Sequence, residues 1–355
     1  MDKREAVIRA LQFEGPAWVP YELRVYLRQL RAHHPASAID ALERALHDLG
    51  AVRDGDDMLA QDLFARVEPT PRPSPEPFRP LEADEWVDEW GTIWTCPDFP
   101  RVNGHPLEAS WDLLETYTPP DPLAPGRYDE ARETLLRKPD RYRVGRVWFT
   151  LFERLWMLRG FNNALMDLRL QPERLARLLD LIVEFNLTSI RQQLSLGVDG
   201  IYFSDDWGSQ TTLLIKPDEW REWYKPLYRR MFDAVHQGGA HVWMHLCGNV
   251  TAILPDLIEL GLNVLNPVQP QAMDVDALGA AFGGRLCFFG GADVQGTLPH
   301  GTPEDVEQEV RHLIDVFGRY SGGYIGSTSH TILPDTPPEN VIALFRAFRD
   351  HSGVQ

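Results

Sequence analysis

A histidine and a cysteine stand two residues apart at the end of a short apolar run. Residues 240–244 have the length and the β-branched and aromatic content of a buried strand, and His245 and Cys247 follow directly. Residues two apart in a strand project to the same side, so the two side chains are expected to converge. Imidazole and thiolate are ligands that zinc favours. The pair is predicted to hold half of a tetrahedral zinc site, although a hydrogen-bonded histidine beside a small core cysteine would give the same pattern.

Polar residues that could bind or react follow several other apolar runs. In a barrel of parallel strands the carboxyl ends share one rim, so these residues are expected to meet there. Titratable side chains at such a rim are candidates for catalysis, although surface loops are polar in any case. The sequence predicts catalytic roles for Glu153, Asp205, Asp206 and His330, and substrate contacts for Glu22, Asn266, Gln269, Asp293 and Gln295.

The histidine at position 330 follows the last predicted strand. His245, Cys247 and His330 could therefore form a three-ligand zinc site with an open fourth position. Two tryptophans, Trp90 and Trp207, lie near the predicted mouth and would suit an aromatic substrate such as a methoxylated ring. Core packing would explain both tryptophans equally well.

Short apolar runs alternate with longer helical segments from residue 143 onward, which is typical of repeated βα units and a parallel sheet. Two further strands are expected at residues 17–25 and near Trp90. The predicted fold is a single α/β domain over residues 1–355, a (β/α)8 TIM barrel with an N-terminal helical and extended extension; an open doubly wound sheet is the alternative. Residues 26–85 are predicted to be an inserted helical and proline-rich segment. The six predicted strands cover residues 144–151, 200–204, 240–245, 264–268, 286–290 and 323–327.

The composition favours a small-molecule substrate. The 355 residues are 43% hydrophobic and carry a formal net charge of -17, which disfavours binding to nucleic acid or to an anionic membrane. The N-terminus lacks an apolar signal-peptide core, and three cysteines are too few for a disulfide scaffold. We expect a cytoplasmic protein with reduced thiols that acts as a monomer or homodimer.

Several segments together resemble the uroporphyrinogen decarboxylase (URO-D) superfamily. The resemblance implies a (β/α)8 barrel and covers the chain from about Arg143 to the C-terminus, with a looser likeness over residues 4–20. The segments that carry it are residues 245–249 (His-Leu-Cys-Gly-Asn), 254–259, 265–269 (Leu-Asn-Pro-Val-Gln), 290–295 and 330–339.

Two branches of this superfamily differ at residues visible here. Decarboxylases carry an arginine-rich signature after the first strand, but residues 25–30 read Val-Tyr-Leu-Arg-Gln-Leu, and this acidic chain offers few cations there. Cobalamin-dependent methyltransferases bind zinc through His-x-Cys and a later cysteine. His245 and Cys247 match the first two ligands, and the third position falls on His330.

The resemblance therefore implies an enzyme closer to the methyltransferase branch. It would use Zn²⁺ and a corrinoid (cobalamin) as methyl carrier, on a small thiol, ether or amine, with a possible corrinoid protein as partner. A second interpretation is a decarboxylase of a porphyrinogen or related tetrapyrrole in porphyrin biosynthesis. A third is a non-catalytic barrel that binds a corrinoid or tetrapyrrole.

Overall fold

The computed structural model describes residues 1–97 and 99–353, and its main feature is a curled parallel sheet wrapped by helices. The strands in the described residues are β1 (Leu23–Tyr26), β2 (Val52–Asp54), β3 (Asp57–Ala60), β4 (Phe64–Val67), β5 (Glu85–Val87), β6 (Ile93–Thr95), β7 (Arg101–Gly104), β8 (Tyr142–Val147), β9 (Gly200–Ser204), β10 (His241–His245), β11 (Val264–Val268), β12 (Cys287–Ala292) and β13 (Tyr324–Thr328). Seven of them form the curled sheet in the order β13-β12-β11-β10-β9-β8-β4, all with parallel neighbours.

Helices connect the strands and cover the outer face of the sheet. The architecture is a TIM-barrel-like α/β fold, which confirms the predicted fold class. The helices are α1 (Lys3–Gln12), α2 (Leu27–Arg31), α3 (Ala36–Asp48), α4 (Asp129–Arg137), α5 (Phe152–Arg159), α6 (Phe161–Leu170), α7 (Pro172–Ser195), α8 (Pro217–Trp223), α9 (Lys225–Gln237), α10 (Leu254–Glu259), α11 (Val275–Phe282), α12 (Thr297–His300), α13 (Pro303–Phe317) and α14 (Pro338–His351), with 3-10 turns at Trp111–Glu115 and Thr251–Ile253.

The six strands predicted from residue 143 onward are all present. β9 and β11 have the predicted bounds, and three others differ by one or two residues. The strand predicted at residues 144–151 is too long, because the chain turns after Val147. Thr150 Oγ1 donates back to the Val147 carbonyl at 3.0 Å, and Phe149 lies in the left-handed region at φ 53°. This turn begins α5, which carries Glu153.

The region near Trp90 does not supply a barrel strand, which corrects the sequence prediction. β5 and β6 pair antiparallel with each other, and β7 continues this separate three-stranded sheet. The barrel strand is instead β4, which lies within residues 26–85 and pairs parallel with β8. Its run of four residues, between Asp62 and the prolines that begin at Pro69, is too short to show a period in the sequence.

The first predicted strand occupies the eighth barrel position by a single bridge. Tyr21 pairs parallel with Gly326 of β13, and Glu22 N donates to the Gly326 carbonyl at 2.9 Å. The chain then leaves the barrel as β1, which pairs antiparallel with β3. On the side facing β4, the contacts are made by the buried Glu22 carboxylate, where other neighbouring strands are joined by backbone hydrogen bonds. It accepts a hydrogen bond from Leu63 N at 2.7 Å and pairs with Arg66. We call this junction between Glu22 and β4 the seam.

A carboxylate on α13 gives the fold a pH dependence. Glu309 accepts hydrogen bonds from Asp293 N at 3.0 Å and Thr297 Oγ1 at 2.9 Å. Burial, reinforced by the Asp293 carboxylate, raises its pKa from 4.5 to about 7. Because the folded state holds this proton more tightly than the unfolded state, stability falls as pH rises from about 4.5 to about 7.

We expect Glu309→Gln to remove this dependence, since a neutral amide can still make both hydrogen bonds. Between pH 4.5 and pH 7 the wild type should lose about 2 kcal/mol of unfolding free energy relative to the variant. Urea unfolding of both proteins at several pH values measures the difference. Parallel pH profiles for the two proteins would contradict the role of Glu309.

Candidate metal centre and active site

The three predicted zinc ligands converge at the carboxyl end of the barrel. His245 is the last residue of β10, Cys247 lies two residues further on, and His330 follows β13 by two residues. One ligand atom from each side chain lies within 4.8 Å of the other two. Cys247 Sγ and His245 Nε2 are 3.2 Å apart. The prediction that these three side chains share one place is therefore met by the geometry, and their role as ligands stays a prediction.

The hydrogen bonds around His245 fix which ring nitrogen can bind a metal. Asn266 Nδ2 donates to the Phe289 carbonyl at 2.9 Å, so the Asn266 Oδ1 atom must face His245. His245 Nδ1 lies 2.8 Å from that oxygen. Because an amide oxygen only accepts, Nδ1 carries the proton and Nε2 presents its lone pair to Cys247. This is the tautomer that a zinc-binding histidine needs.

The spacing of the donor atoms fits a tetrahedral ion. Zinc bonds of about 2.3 Å to sulfur and about 2.0 Å to nitrogen place the two atoms roughly 3.5 Å apart. The Cys247–His245 distance of 3.2 Å is close to that edge. His330 is exposed, so its side chain can rotate toward the other two ligands. A soft thiolate with two imidazoles is a donor set that suits zinc.

Two acidic side chains, Asp206 and Glu153, lie beside the predicted metal ligands. Asp206 Oδ1 accepts a hydrogen bond from Cys247 N at 2.9 Å and lies 3.8 Å from His245 Nε2. Glu153 accepts one from Ser204 Oγ at 3.1 Å. Burial, followed by Asp206 and Asp205, raises the pKa of Glu153 well above its usual range. Burial and Asp206 likewise raise the pKa of the Cys247 thiol. A divalent cation would relieve this repulsion.

The neighbouring aspartates have different positions. Asp206 lines the cavity at the barrel mouth, whereas Asp205 is fully buried. Asp205 accepts hydrogen bonds from the backbone N–H groups of Leu151, Phe152 and Glu153 at 2.7–3.2 Å and from Tyr228 OH. Burial raises the pKa of Asp205 to about 6, and the Tyr228 hydroxyl opposes the shift. The catalytic contact predicted for Asp205 is therefore corrected, because this residue instead positions the start of α5 and with it Glu153.

Trp207 belongs to the core, which was the alternative explanation in the sequence. It is fully buried, stacks on Phe152 with ring centroids 4.5 Å apart, and donates its indole N–H to Tyr228 OH at 2.8 Å. A substrate at the barrel mouth cannot reach it, so its predicted substrate contact is corrected. Trp90 is also nearly buried, but it lines a second chamber beside the mouth.

Three other predicted substrate residues lie outside the mouth cavity. Gln269 Oε1 accepts from Gly248 N, which braces the loop after Cys247. Asp293 is buried, accepts from Gln271 Nε2 at 2.7 Å and accepts from Gln295 N at 2.8 Å. Gln295 is exposed on the turn that Asp293 stabilises. None of these three side chains lines the mouth cavity, so the geometry does not support their predicted substrate contacts, which stay predictions.

The mouth cavity has a volume of about 1040 Å³ and includes residues that the sequence analysis missed. Arg24, Arg66, Arg101 and Arg146 come from four separate segments, so the expectation of few cations near the first strand is wrong. Arg146 interrupts the apolar pattern of β8, and that signal was available in the sequence. Aromatic walls complete the cavity: Trp94, Trp148, Phe149, Trp156, Tyr202 and Phe289, with the predicted Glu22, Glu153, Asp206, His245, Asn266 and His330 also lining it.

Three of these arginines are paired with carboxylates of the protein. Arg24 contacts Asp54 and Asp57 at 2.7 and 2.9 Å. Arg66 pairs with Glu22, and Arg146 Nη1 lies 2.6 Å from Glu68. The charges of Arg24 and Arg66 are thus largely compensated before any substrate binds, whereas the buried Nε of Arg146 has no hydrogen-bond partner.

Comparison with known proteins agrees with this fold. The structure is similar to that of a methyltransferase from Methanosarcina mazei, with a TM-score of 0.67, 21% identity, and coverage of 99% of this chain and 98% of that one. The sequence is 25% identical over 262 residues to the methylated-thiol--coenzyme M methyltransferase of M. mazei, covering 72% of this chain and 67% of that protein. It is 29% identical over 178 residues to the uroporphyrinogen decarboxylase of Syntrophotalea carbinolica, covering 49% of this chain and 48% of that protein.

This protein is in the class of TIM-barrel-like α/β proteins, and a His-Cys-His cluster lies at the carboxyl end of its barrel. The model of the uroporphyrinogen decarboxylase (URO-D) family matches residues 148–351, which is more than half of the chain. The chain belongs to the uroporphyrinogen decarboxylase (URO-D) family. The likeness to the methyltransferase extends further along the chain than the likeness to the decarboxylase, which spans only about half of each protein. Among the described residues, no helix is both long enough and apolar enough to cross a membrane.

Proposed function

We propose that this protein is a zinc-dependent methyltransferase that moves a methyl group between a corrinoid and a small thiol, ether or amine. The observation that carries the proposal is the meeting of Cys247 Sγ, His245 Nε2 and His330, with His245 held in the metal-binding tautomer by Asn266. The 25% identity to a methylated-thiol--coenzyme M methyltransferase supports the reaction class. A corrinoid protein is the proposed partner.

Each side chain of the site has its own role in the proposed reaction. His245, Cys247 and His330 would hold the zinc ion, which lowers the pKa of a bound thiol or water when present. Asn266 keeps the imidazole of His245 oriented, and Asp206 holds the backbone N–H of Cys247. Burial and the neighbouring aspartates raise the pKa of Glu153, which favours its protonated form. Its carboxyl can therefore give a proton to the oxygen or nitrogen that loses the methyl group of an ether or amine.

The direct test is elemental analysis of protein purified without chelator and then supplied with zinc. We expect close to one zinc per chain and zinc-dependent demethylation of methylcobalamin by a thiol, followed by its visible spectrum. A small fraction of an equivalent would overturn the zinc mechanism and return His330 to a role in substrate binding.

A decarboxylase of a porphyrinogen is the second candidate, favoured by the four arginines of the mouth cavity. Such a substrate carries many carboxylates and needs fixed cations. Here Arg24 and Arg66 are already paired with carboxylates. We therefore expect the purified protein not to convert uroporphyrinogen to coproporphyrinogen efficiently, measured by chromatography of the oxidised products. Rapid conversion would favour the second candidate.

The orientation of His245 gives a further prediction. Asn266→Leu removes the acceptor for His245 Nδ1, so the ring loses its fixed tautomer. We expect zinc affinity to fall by about 10- to 100-fold, the usual effect of losing such a partner. Competition with a chromophoric chelator measures it. Tyr202→Phe is the control, since Tyr202 OH also donates to Asn266 Oδ1 but Asn266 remains to orient the ring. Equal effects of the two substitutions would argue against this role of Asn266.

A further inference from the structure

A second chamber of about 680 Å³ adjoins the mouth cavity. Trp94, Trp148, Phe149 and Arg146 line both spaces and form the wall between them. Two consecutive residues at the start of α5 line different spaces: Glu153 lines the mouth cavity, and Arg154 lines the second chamber. Volumes of this size accommodate small-molecule ligands. We call this space the aromatic chamber.

The walls of the aromatic chamber are rings set at angles to one another. Trp90 and Phe185 meet edge to face with centroids 4.6 Å apart, and Trp94 and Phe149 are 5.8 Å apart. Trp86 stacks beside Trp94. Aromatic rings prefer such stacked and edge-to-face contacts to random apolar contact. The walls therefore suit a flat aromatic ligand better than an aliphatic one.

The chamber is locally positive in a chain of net charge -17. Four arginines line it, Arg72, Arg127, Arg146 and Arg154, against two carboxylates, Asp88 and Glu89. Both carboxylates are already engaged. Glu89 binds Arg127 through both oxygens at 2.6 and 2.7 Å, and Asp88 accepts from Trp90 N and Thr92 N, both at 2.9 Å, and from Trp94 Nε1 at 3.1 Å.

Two of these arginines are poorly compensated. The hydrogen bond found for Arg154 among the described residues is a long one of 3.4 Å to Asp88, and its guanidinium lies over the rings of Trp90 and Phe149. Arg146 pairs with Glu68, but its buried Nε has no hydrogen-bond partner. Burial lowers the pKa of each arginine, and the carboxylates oppose the shift incompletely. A buried cation in this state favours an added anion.

Arg159, on the same helix as Arg154, provides the contrast. Both arginines are 7% exposed, and both guanidiniums lie over a tryptophan, at 4.4 Å for Arg159 and 4.5 Å for Arg154. Arg159 nevertheless makes short hydrogen bonds to Asp167 at 2.9 Å and to the carbonyls of Leu107 and Glu108 at 2.6 and 2.7 Å. It lines neither space. Of these two equally buried arginines, Arg159 therefore has short hydrogen bonds to acceptors and Arg154 does not.

We propose that the aromatic chamber binds an aromatic carboxylate, with the ring between the tryptophans and the carboxylate on Arg154 and Arg146. The shared wall would let a substituent on the far side of the ring reach the mouth cavity. This inference deepens the proposed function: if the zinc mechanism holds, the methyl group is carried by an ether or thioether on that ring. The binding itself does not require the metal.

The test uses 4-methoxybenzoate as probe, with binding to the full chain measured by calorimetry and tryptophan fluorescence. Its neutral isostere 4-methoxybenzamide and the aliphatic 4-methoxycyclohexanecarboxylate are the comparison ligands. Arg154→Met is the test variant and Arg159→Met its matched control. Asp88 keeps its three other donors in Arg154→Met, so this variant should fold.

We expect the wild type to bind 4-methoxybenzoate at least tenfold more tightly than either comparison ligand. Arg154→Met should lose that preference for the acid, whereas Arg159→Met should keep it and lose thermal stability. Equal affinity for acid and amide in the wild type, or an unchanged preference in Arg154→Met, would overturn the proposal without any need for the control variant to fold. Repeating the wild-type measurement after removal of metal by a chelator separates the two hypotheses, since acid binding should persist even if no zinc site exists.

Discussion

Replacing Cys247 by serine should remove most of the bound zinc and most of the methyl-transfer activity while leaving the barrel folded. A thiolate binds zinc far better than a hydroxyl does, and the site would keep only two strong ligands. We expect zinc affinity to fall by at least about 100-fold, since losing even an outer-shell partner costs up to that factor. Cys247 is half-buried, and its Sγ contacts polar side chains of the site, His245 and Asp206, so the apolar core does not depend on it.

Elemental analysis and circular dichroism of the same samples separate loss of metal from loss of fold. Cys96→Ser is the matched control, because Cys96 is an exposed free thiol outside the site. It should keep the wild-type zinc content. A Cys247→Ser protein that retains a full equivalent of zinc, or a Cys96→Ser protein that loses it, would contradict the assignment of the ligands.

The second large effect is expected at the seam. Glu22→Gln leaves the partly buried Arg66 without its carboxylate, and removing one partner of a buried ion pair is strongly destabilising. We expect the unfolding free energy to fall by about 3 kcal/mol, measured by urea denaturation. Glu22 also accepts from Leu63 N, but a glutamine oxygen can replace that interaction. The expected loss of unfolding free energy should therefore come from the missing negative charge at position 22.

Glu43→Gln is the control for this prediction. Glu43 also pairs with arginines, Arg31 and Arg53, but both are largely exposed to solvent. Ion pairs of that kind contribute at most about 1 kcal/mol. If the two substitutions cost the same, the seam does not depend on the Glu22–Arg66 pair.

The sequence predicts the centre of the barrel better than its beginning. β8 to β13 are apolar runs with helices between them, so the alternation of elements identifies both the strands and their shared rim. From that rim the convergence of His245, Cys247 and His330 follows directly. β4 cannot be recognised in the sequence, because four residues next to a proline-rich segment show no period. The segment near Trp90 looks as apolar as a barrel strand, but it belongs to a separate antiparallel sheet.

Side-chain direction was harder to predict than position along the chain. Asp205 and Asp206 are adjacent, and the sequence does not say which one faces the cavity. The backbone N–H groups at the start of α5 decide it, because they bind Asp205 from a segment 52 to 54 residues away in the chain. Gln269 and Asp293 likewise follow strands, but they accept hydrogen bonds from the loop backbone at Gly248 N and Gln295 N and do not line the mouth. Such long-range pairings have no local signal.

The strands of the barrel are not all joined in the same way, and the strand that carries His245 lies far from the seam. β10, which carries His245, is the middle strand of the seven and has a full ladder on each side. The seam lies on the far side of the ring, where a side chain replaces the ladder and the chain makes its excursion through β1 to β3. Insertions at the seam would change the mouth without shifting the strand that carries His245, although His330 follows β13, which bonds to Glu22. A change of recognition at the seam would therefore disturb one of the three predicted ligands and leave the other two in place.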